Sequence, residues 1–339
     1  MFYREAGQFK TTYLADSAIF PIRQDRIGMA VILAIAFIVV PFTASPYIFS
    51  AILIPFLILS LAAIGLNILT GYAGQLSLGS AAFMAVGAFM SYNIVLRVPG
   101  IPMLVAFAGG GLCAAVIGIV FGLPSLRIRG FYLAVATLAA QFFLEWCFIR
   151  IPWLFNYNES GAIEVPRSYL FGIPITGPTA SAEVRYILVL TIVIGLTWVA
   201  SNIVHGRIGR SWMAVRDMDI AAELMGIRLL PTKLLAFAVS SFYCGVSGAL
   251  MVFLWYGGAE PSVFNINQSF TILFMIIIGG LGSLIGTFLG AALIYILPIV
   301  LRLLPEALGL PIHSDTVEHV TVMIVGALII LFLIAEHAG

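Results

Sequence analysis

Residues 47–69 read YIFSAILIPFLILSLAAIGLNIL, and residues 70–80 read TGYAGQLSLGS. The first is an uncharged apolar run long enough to cross a bilayer as a helix, since a span takes roughly 20 such residues. A lone helix satisfies its own backbone in lipid, whereas a barrel strand would show short alternating segments instead. The second stretch breaks the apolar region with Gly71, Gly74 and Gly79 and with the polar side chains of Thr70, Gln75, Ser77 and Ser80. A spanning helix followed by a polar, glycine-rich break is the reading on which the rest turns.

Similar apolar runs recur along the chain, at roughly 27–44, 76–96, 101–122, 131–149, 186–204, 233–255, 264–282, 284–303 and 318–336. With 47–69 they make about ten candidate spans, so the expected fold class is an all-α integral membrane protein. Composition agrees. Of 339 residues, 62% are hydrophobic and 9% charged, against about 25% charged in a soluble domain. Such a chain cannot clothe a water-facing surface, which excludes a soluble enzyme, a disordered chain and a disulfide scaffold. The net charge of +1 gives no basic excess for nucleic acid.

Charge placement orients the spans. Arg4, Lys10, Arg23 and Arg26 lie in the amino-terminal tail, Arg127 and Arg129 in loop 123–130, and Arg207, Arg210, Arg216, Arg228 and Lys233 around loop 205–232. With ten spans and a cytoplasmic amino terminus, all three segments fall on the cytoplasmic side. Residues 1–26 are polar and show no cleavable apolar core, so they read as a cytoplasmic tail. The expected organisation is a tail (1–26), a five-helix half (27–149), a periplasmic loop (150–185), and a second five-helix half (186–336) that contains loop 205–232. Five spans per half forces opposite orientations, the arithmetic of an inverted repeat with glycine-interrupted helices. Gly109–Leu112 and Ile117-Gly118 faintly echo Gly279–Leu281 and Ile285-Gly286.

Only two lysines occur, Lys10 and Lys233, and neither follows a glycine-rich turn. The chain therefore carries no phosphate-binding Walker A loop of its own. Cys113, Cys147 and Cys244 are isolated in apolar runs, and the four histidines are scattered, so no metal or redox spacing is present. No nucleophile–base pair or carboxylate pair appears, and the expectation is a protein that is not an enzyme.

The polar residues inside spans are the informative ones, because polar groups in hydrocarbon must be partnered or face water. Asn67 and the 70–80 break either pack helices closely or line a solute path. Thr137, Gln141 and Glu145 share one helix face. Ser240, Tyr243 and Ser247 line another, where packing is the simpler reading. Loop 205–232 predicts an amphipathic helix from about Trp212 to Met225, ended by Gly226, whose form suits burial against a partner protein.

Four blocks resemble one family. They are Gly65–Gly79 (GLNILTGYAGQLSLG), Leu126–Leu138 (LRIRGFYLAVATL), Gly209–Asp217 (GRSWMAVRD) with its continuation through Ala221–Ile227 and Lys233–Phe237, and Gly279–Gly286 (GGLGSLIG). In this order they are similar to the permease subunits of branched-chain amino acid type ABC importers (LivM-like). The resemblance implies a bacterial inner-membrane importer subunit that works with a second homologous permease, two cytoplasmic ATP-binding subunits and a periplasmic solute-binding protein. It also implies that ATP and magnesium are bound on the partner subunits and that no cofactor is bound by this chain.

Under that resemblance the loop holding Arg210, Trp212, Arg216, Asp217, Glu223 and Gly226 is the segment seated on an ATPase. Asp217 and Glu223 would meet cations there, and Trp212 would fill a pocket. Asn67, Gly71, Gly74, Gln75, Ser77, Thr137 and Gln141 are candidates for the solute pathway. Asn156, Asn158 and Glu159 are candidates for docking the binding protein. The family's Gly-Gly-Thr-Asn-Gly-like stretch after the fifth span is replaced here by Asn156–Ile163 (NYNESGAI). The implied solute is therefore a small polar or carboxylated molecule: a branched-chain amino acid, an amide, urea or an aromatic acid. The rival reading, an ion-coupled transporter, needs a titratable group within the membrane, and Glu145 is the one acid in these spans clear of their ends.

Overall fold

The computed structural model describes residues 23–125, 132–170, 172–177 and 180–307, with a few helical residues between 320 and 331. The tail to residue 22, Arg127 and Arg129, and most of the tenth expected span lie outside the described residues. Eight described helices are long and apolar enough to cross a membrane. They are α1 (Arg26–Thr43), α2 (Pro46–Tyr72), α3 (Ser80–Arg97), α4 (Met103–Leu123), α5 (Leu133–Arg150), α6 (Ala182–His205), α9 (Leu229–Tyr256) and α11 (Leu284–Leu301). Two short helices, α7 (Arg207–Asp217) and α8 (Asp219–Leu224), precede α9. A shorter apolar helix, α10 (Ile266–Gly279), precedes α11.

Three expectations need correction. The span expected from residue 186 begins at Ala182, because Arg185 is not a loop charge: its guanidinium donates to the carbonyls of Ile175 (3.2 Å) and Gly177 (2.6 Å). The span expected over 264–282 is helical only from Ile266 to Gly279, since Gly280 takes φ +94° and ends it. The helix expected over 212–225 is two helices. Met218, at φ −160°, separates α7 from α8 and turns the second away from the first.

Loop 150–185 is ordered by pairing. β1 (Ile163–Glu164) pairs antiparallel with β4 (Gly258–Ala259), and β2 (Tyr169–Leu170) pairs with β3 (Ile173–Pro174). These pairings test whether the helices cross. β1 and β4 lie in the α5–α6 and α9–α10 connections, which therefore share a face. Arg97, ending α3, donates to the Trp153 carbonyl (3.0 Å) and lies 4.0 Å over its ring, on that same face. At the opposite end, Arg216 of α7 donates to the Gly71 carbonyl beyond α2, and Asn67 reaches the α10–α11 turn. Every pair of touching connections is separated by an even number of helices, as full crossings require. α10 must count as a crossing for this to hold.

The core is built on α2 and α9. In each, 83% of the apolar window is buried, against none in α1. α9 packs along α3 and α4, while α2 packs along α10 and α11, so each half lends one helix to the other. Gly109–Gly111 lie inside the continuous α4, whereas Gly279 and Gly280 end a helix. Ser247 donates to the Ile58 carbonyl (2.6 Å) and Tyr243 to that of Leu196 (2.7 Å), tying α9 to α2 and α6. Pro55 has no N–H for the Ala51 carbonyl, and the Tyr295 hydroxyl donates to it instead (2.9 Å).

Where α3 crosses α9, a Cβ on Gly87 would meet the Gly245 carbonyl, which belongs to rigid helix backbone. Small residues at such crossings let backbones touch. Gly87→Ala should therefore lower stability by about 2 kcal/mol or more, measured by denaturation in detergent. Gly195→Ala, which meets nothing within 4 Å, should be neutral or slightly stabilising in the same assay.

Candidate functional site

Two breaks meet at one end of the bundle. The first begins where α2 loosens into a π-turn over Ile68–Tyr72 and leaves the helix through Gly74, whose φ is +67°. The second is the α10–α11 turn, with Gly280 at +94° and Gly282 at +80°. Only glycine adopts these left-handed angles freely. Asn67 joins them. Its carboxamide donates to the Ser283 carbonyl (3.0 Å) and the Thr287 hydroxyl (2.6 Å), and accepts from the Gly282 N–H (2.9 Å). Gly71 fits beneath this bracket, because a Cβ there would collide with the Asn67 oxygen and the Gly282 nitrogen.

The start of α3 is held from outside itself. The Ala81 N–H donates to Ser269 Oγ (2.9 Å), and the Ala82 N–H to Gln141 Oε1 (2.7 Å). Gln141 also accepts from Ser269 Oγ (3.2 Å) and donates to the Phe264 carbonyl (2.8 Å). Thr137 accepts from the Leu78 N–H (2.9 Å) and donates to Ala134 (3.0 Å). First-turn amides have no partner within their own helix, so α5 and α10 supply the cap.

The candidate pathway residues therefore divide. Asn67, Thr137 and Gln141 are buried and hydrogen-bonded within the fold. Ser77 Oγ accepts from the Gly79 N–H (3.3 Å). Gln75 is different. It is 4% exposed, and neither its amide nitrogen nor its amide oxygen has a partner. Ser80 Oγ, nearby in the chain, is also buried and unpartnered. The break runs from Gly71 and Gly74, beside Arg216 of α7, to Ala81 and Ala82, which bond Ser269 and Gln141.

Loop 207–228 has two sides. Trp212, Val215 and Ala222 are buried, and Trp212 donates its indole N–H to the Thr232 carbonyl (3.0 Å). Trp212 is thus an anchor within this chain, which corrects the expectation of an outward-facing one. Lys233 pairs with Asp219 at 2.8 Å. The outer side carries Met218, Ile220, Leu224 and Met225, the last two 85% and 69% exposed, beside exposed Asp217 and Glu223. The Gly226 N–H donates to Glu223 and Gly226 takes φ +86°, ending α8 as expected. Arg210, half-buried, lies in the first turn of α7.

At the far face, Asn156 and Tyr157 take left-handed backbone (φ 53° and 57°), and Asn158 donates to the Ala162 carbonyl (3.0 Å). Asn156, Asn158 and Glu159 are all exposed. Beside them an open cavity of about 670 Å³ forms where β1 meets β4, lined by Glu164, Tyr256, Glu260 and Val263 among others.

Residues 48–333 match the family described as branched-chain amino acid transport system / permease component. The chain belongs to this family. Its relatives include the high-affinity branched-chain amino acid transport system permease proteins LivM of Escherichia coli K12 and of Salmonella typhimurium LT2. Each is 28% identical over 256 residues, covering 69% of this chain and 59% of the relative. The chain thus spans 59% of the length of the curated relatives it matches. No solved structure matches it.

The permease sequence did not expose Ser269, Ser283 or Thr287 as partners of the site. The one signal was Gly279–Ser283, a family block whose adjacency to Gly71 no linear pattern reveals. The exposed side of α8 was also missed, because the break at Met218 rotates Ile220 and Leu224 outward.

Asn67→Ala should leave the part-buried Gly282 N–H without its acceptor and cost about 1–3 kcal/mol. The permease should then lose several degrees of thermal stability in detergent. Gln75→Leu removes an unpartnered amide and should leave stability equal or higher in the same melt.

Proposed function

We propose that this chain is the membrane-spanning permease of an ATP-driven importer for a small organic solute, with its amino terminus in the cytoplasm of a bacterial inner membrane. The observation that carries the reading is the exposed apolar side of α8, formed by Met218, Ile220, Leu224 and Met225 and flanked by Asp217 and Glu223. Such a patch at the end of a membrane bundle marks a protein interface. The chain has no phosphate-binding loop, so hydrolysis belongs to a partner. Two ATP-binding subunits holding ATP and magnesium, a second homologous permease and a periplasmic solute-binding protein complete the assembly. Asn156, Asn158 and Glu159 form the docking surface for the binding protein.

Gln75 is the side chain best suited to touch the solute, since its amide offers a donor and an acceptor with no competing partner. Weak neutral contacts of this kind let cargo leave. The solute is a branched-chain amino acid or a related amide, urea or aromatic acid.

Purification with the products of neighbouring genes tests this. In liposomes the complex should hydrolyse ATP faster when solute-loaded binding protein is supplied. Uptake driven by an ion gradient without ATP would overturn the reading. Leu224→Glu should place a charge in the interface and weaken ATPase-subunit association about a hundredfold, as loss of a central apolar anchor does. Pull-down from detergent extracts reads this directly, while the permease itself stays inserted.

A further inference from the structure

We propose that Arg216 is the tie through which the α7–α8 loop moves the paired glycine breaks. Its Nη1 donates to the Gly71 carbonyl at 2.8 Å, across 145 residues of sequence. The chain leaves the helix after the π-turn, so the carbonyls at the end of α2 lack helical donors. A helix end of this kind carries partial negative charge and favours a cation. A residue of the same helix or of the following turn commonly supplies such a cap. Here it comes from α7, on a separate connection.

Three features make this contact suited to transmission rather than to simple capping. First, Gly74 packs on the Arg216 stem: a Cβ at Gly74 would sit 2.7 Å from Arg216 Cγ and 3.2 Å from its Cβ. Displacing α7 therefore pushes on the first break as well as pulling on it. Second, Arg216 Nη1 lies beside Gly282, 3.5 Å from where a Cβ would stand. Because Asn67 bonds the second break to α2, both breaks move as one body. Third, the guanidinium is shared. It also pairs with Asp217 at 3.0 Å, and its side chain is 39% exposed. Asp217 is a ready alternative partner, so the bond to Gly71 is released without stranding a buried charge. Gln75, whose amide is unpartnered, follows Gly74 directly. A shift at Arg216 thus reaches the one pathway candidate with unsatisfied hydrogen bonds.

This inference rests on the reading that the α7–α8 loop seats on an ATPase subunit. Its test uses the whole complex in liposomes, with uptake and ATP hydrolysis measured on the same preparation. Arg216→Ala should reduce solute taken up per ATP hydrolysed about tenfold, the size expected when a charge-assisted bond is lost. Arg216→Lys, which keeps the charge and one donor, should recover part of that ratio. An unchanged ratio in Arg216→Ala would overturn the proposal, and so would loss of assembly in both variants, which would mark Arg216 as a packing residue. Leu224→Glu separates the two ideas. If it leaves ATPase association intact, the docking reading fails; if it blocks association while Arg216→Ala couples normally, only the tie fails.

Discussion

The Asn67 carboxamide makes three hydrogen bonds to a segment more than two hundred residues away, and much of the architecture follows from them. Two stretches of non-helical backbone meet at one end of the bundle, and backbone of that kind persists near lipid only where protein covers its polar groups. Asn67 supplies donors and an acceptor to the second stretch while standing in the last helical turn before the first. Gly71 must then be glycine, because the bracket leaves no room for a Cβ. With its carbonyl turned away from the helix ladder, Gly71 becomes available to Arg216. One side chain therefore sets the relation of α2 to α10 and α11 and the place where the α7–α8 loop makes contact.

Against that saturated bracket, Gln75 stands out by contrast. Asn67, Thr137 and Gln141 are bonded within the fold, and Thr137 and Gln141 hold α3, α5 and α10 in register. A buried amide without partners costs about 1–3 kcal/mol relative to a bonded one. A membrane protein that bonds Asn67, Thr137 and Gln141 within its fold retains such a group beside the Gly74 turn. Under the proposed solute-path role that cost has a use, since cargo would find hydrogen bonds there that it then gives up.

Much of the fold was legible in one dimension. Hydropathy located every described span, because lipid leaves a long apolar helix as the one local solution. The site was legible only in part. Asn67, Gly71 and Arg216 were singled out, but as separate features of a pathway and a docking loop. Their contact depends on two connections 145 residues apart, which no periodicity reports. Trp212 misled for a related reason. An amphipathic helix shows which side is apolar, but not whether this chain or another covers it, and here the chain covers Trp212 while leaving Leu224 bare. Thr137 and Gln141 were right as polar positions and wrong as free ones, since the N–H groups they cap belong to α3.

The exchange of α2 and α9 between the halves has a consequence for how the chain is made. α2 emerges early, yet Ser283 and Thr287 follow Asn67 by more than two hundred residues. At a synthesis rate of about 5–20 residues per second, Asn67 waits about ten to forty seconds for its partners. Through that interval a carboxamide sits near the end of an inserted helix without its final partners. Asn67 stands close to the end of α2 at Tyr72, so the non-helical backbone that follows it offers the nearest polar groups until α10 and α11 arrive. Set a few turns deeper, the same residue would leave the nascent helix with a polar group in hydrocarbon and no relief. The place of Asn67 near a helix end thus suits the order of assembly as well as the finished structure.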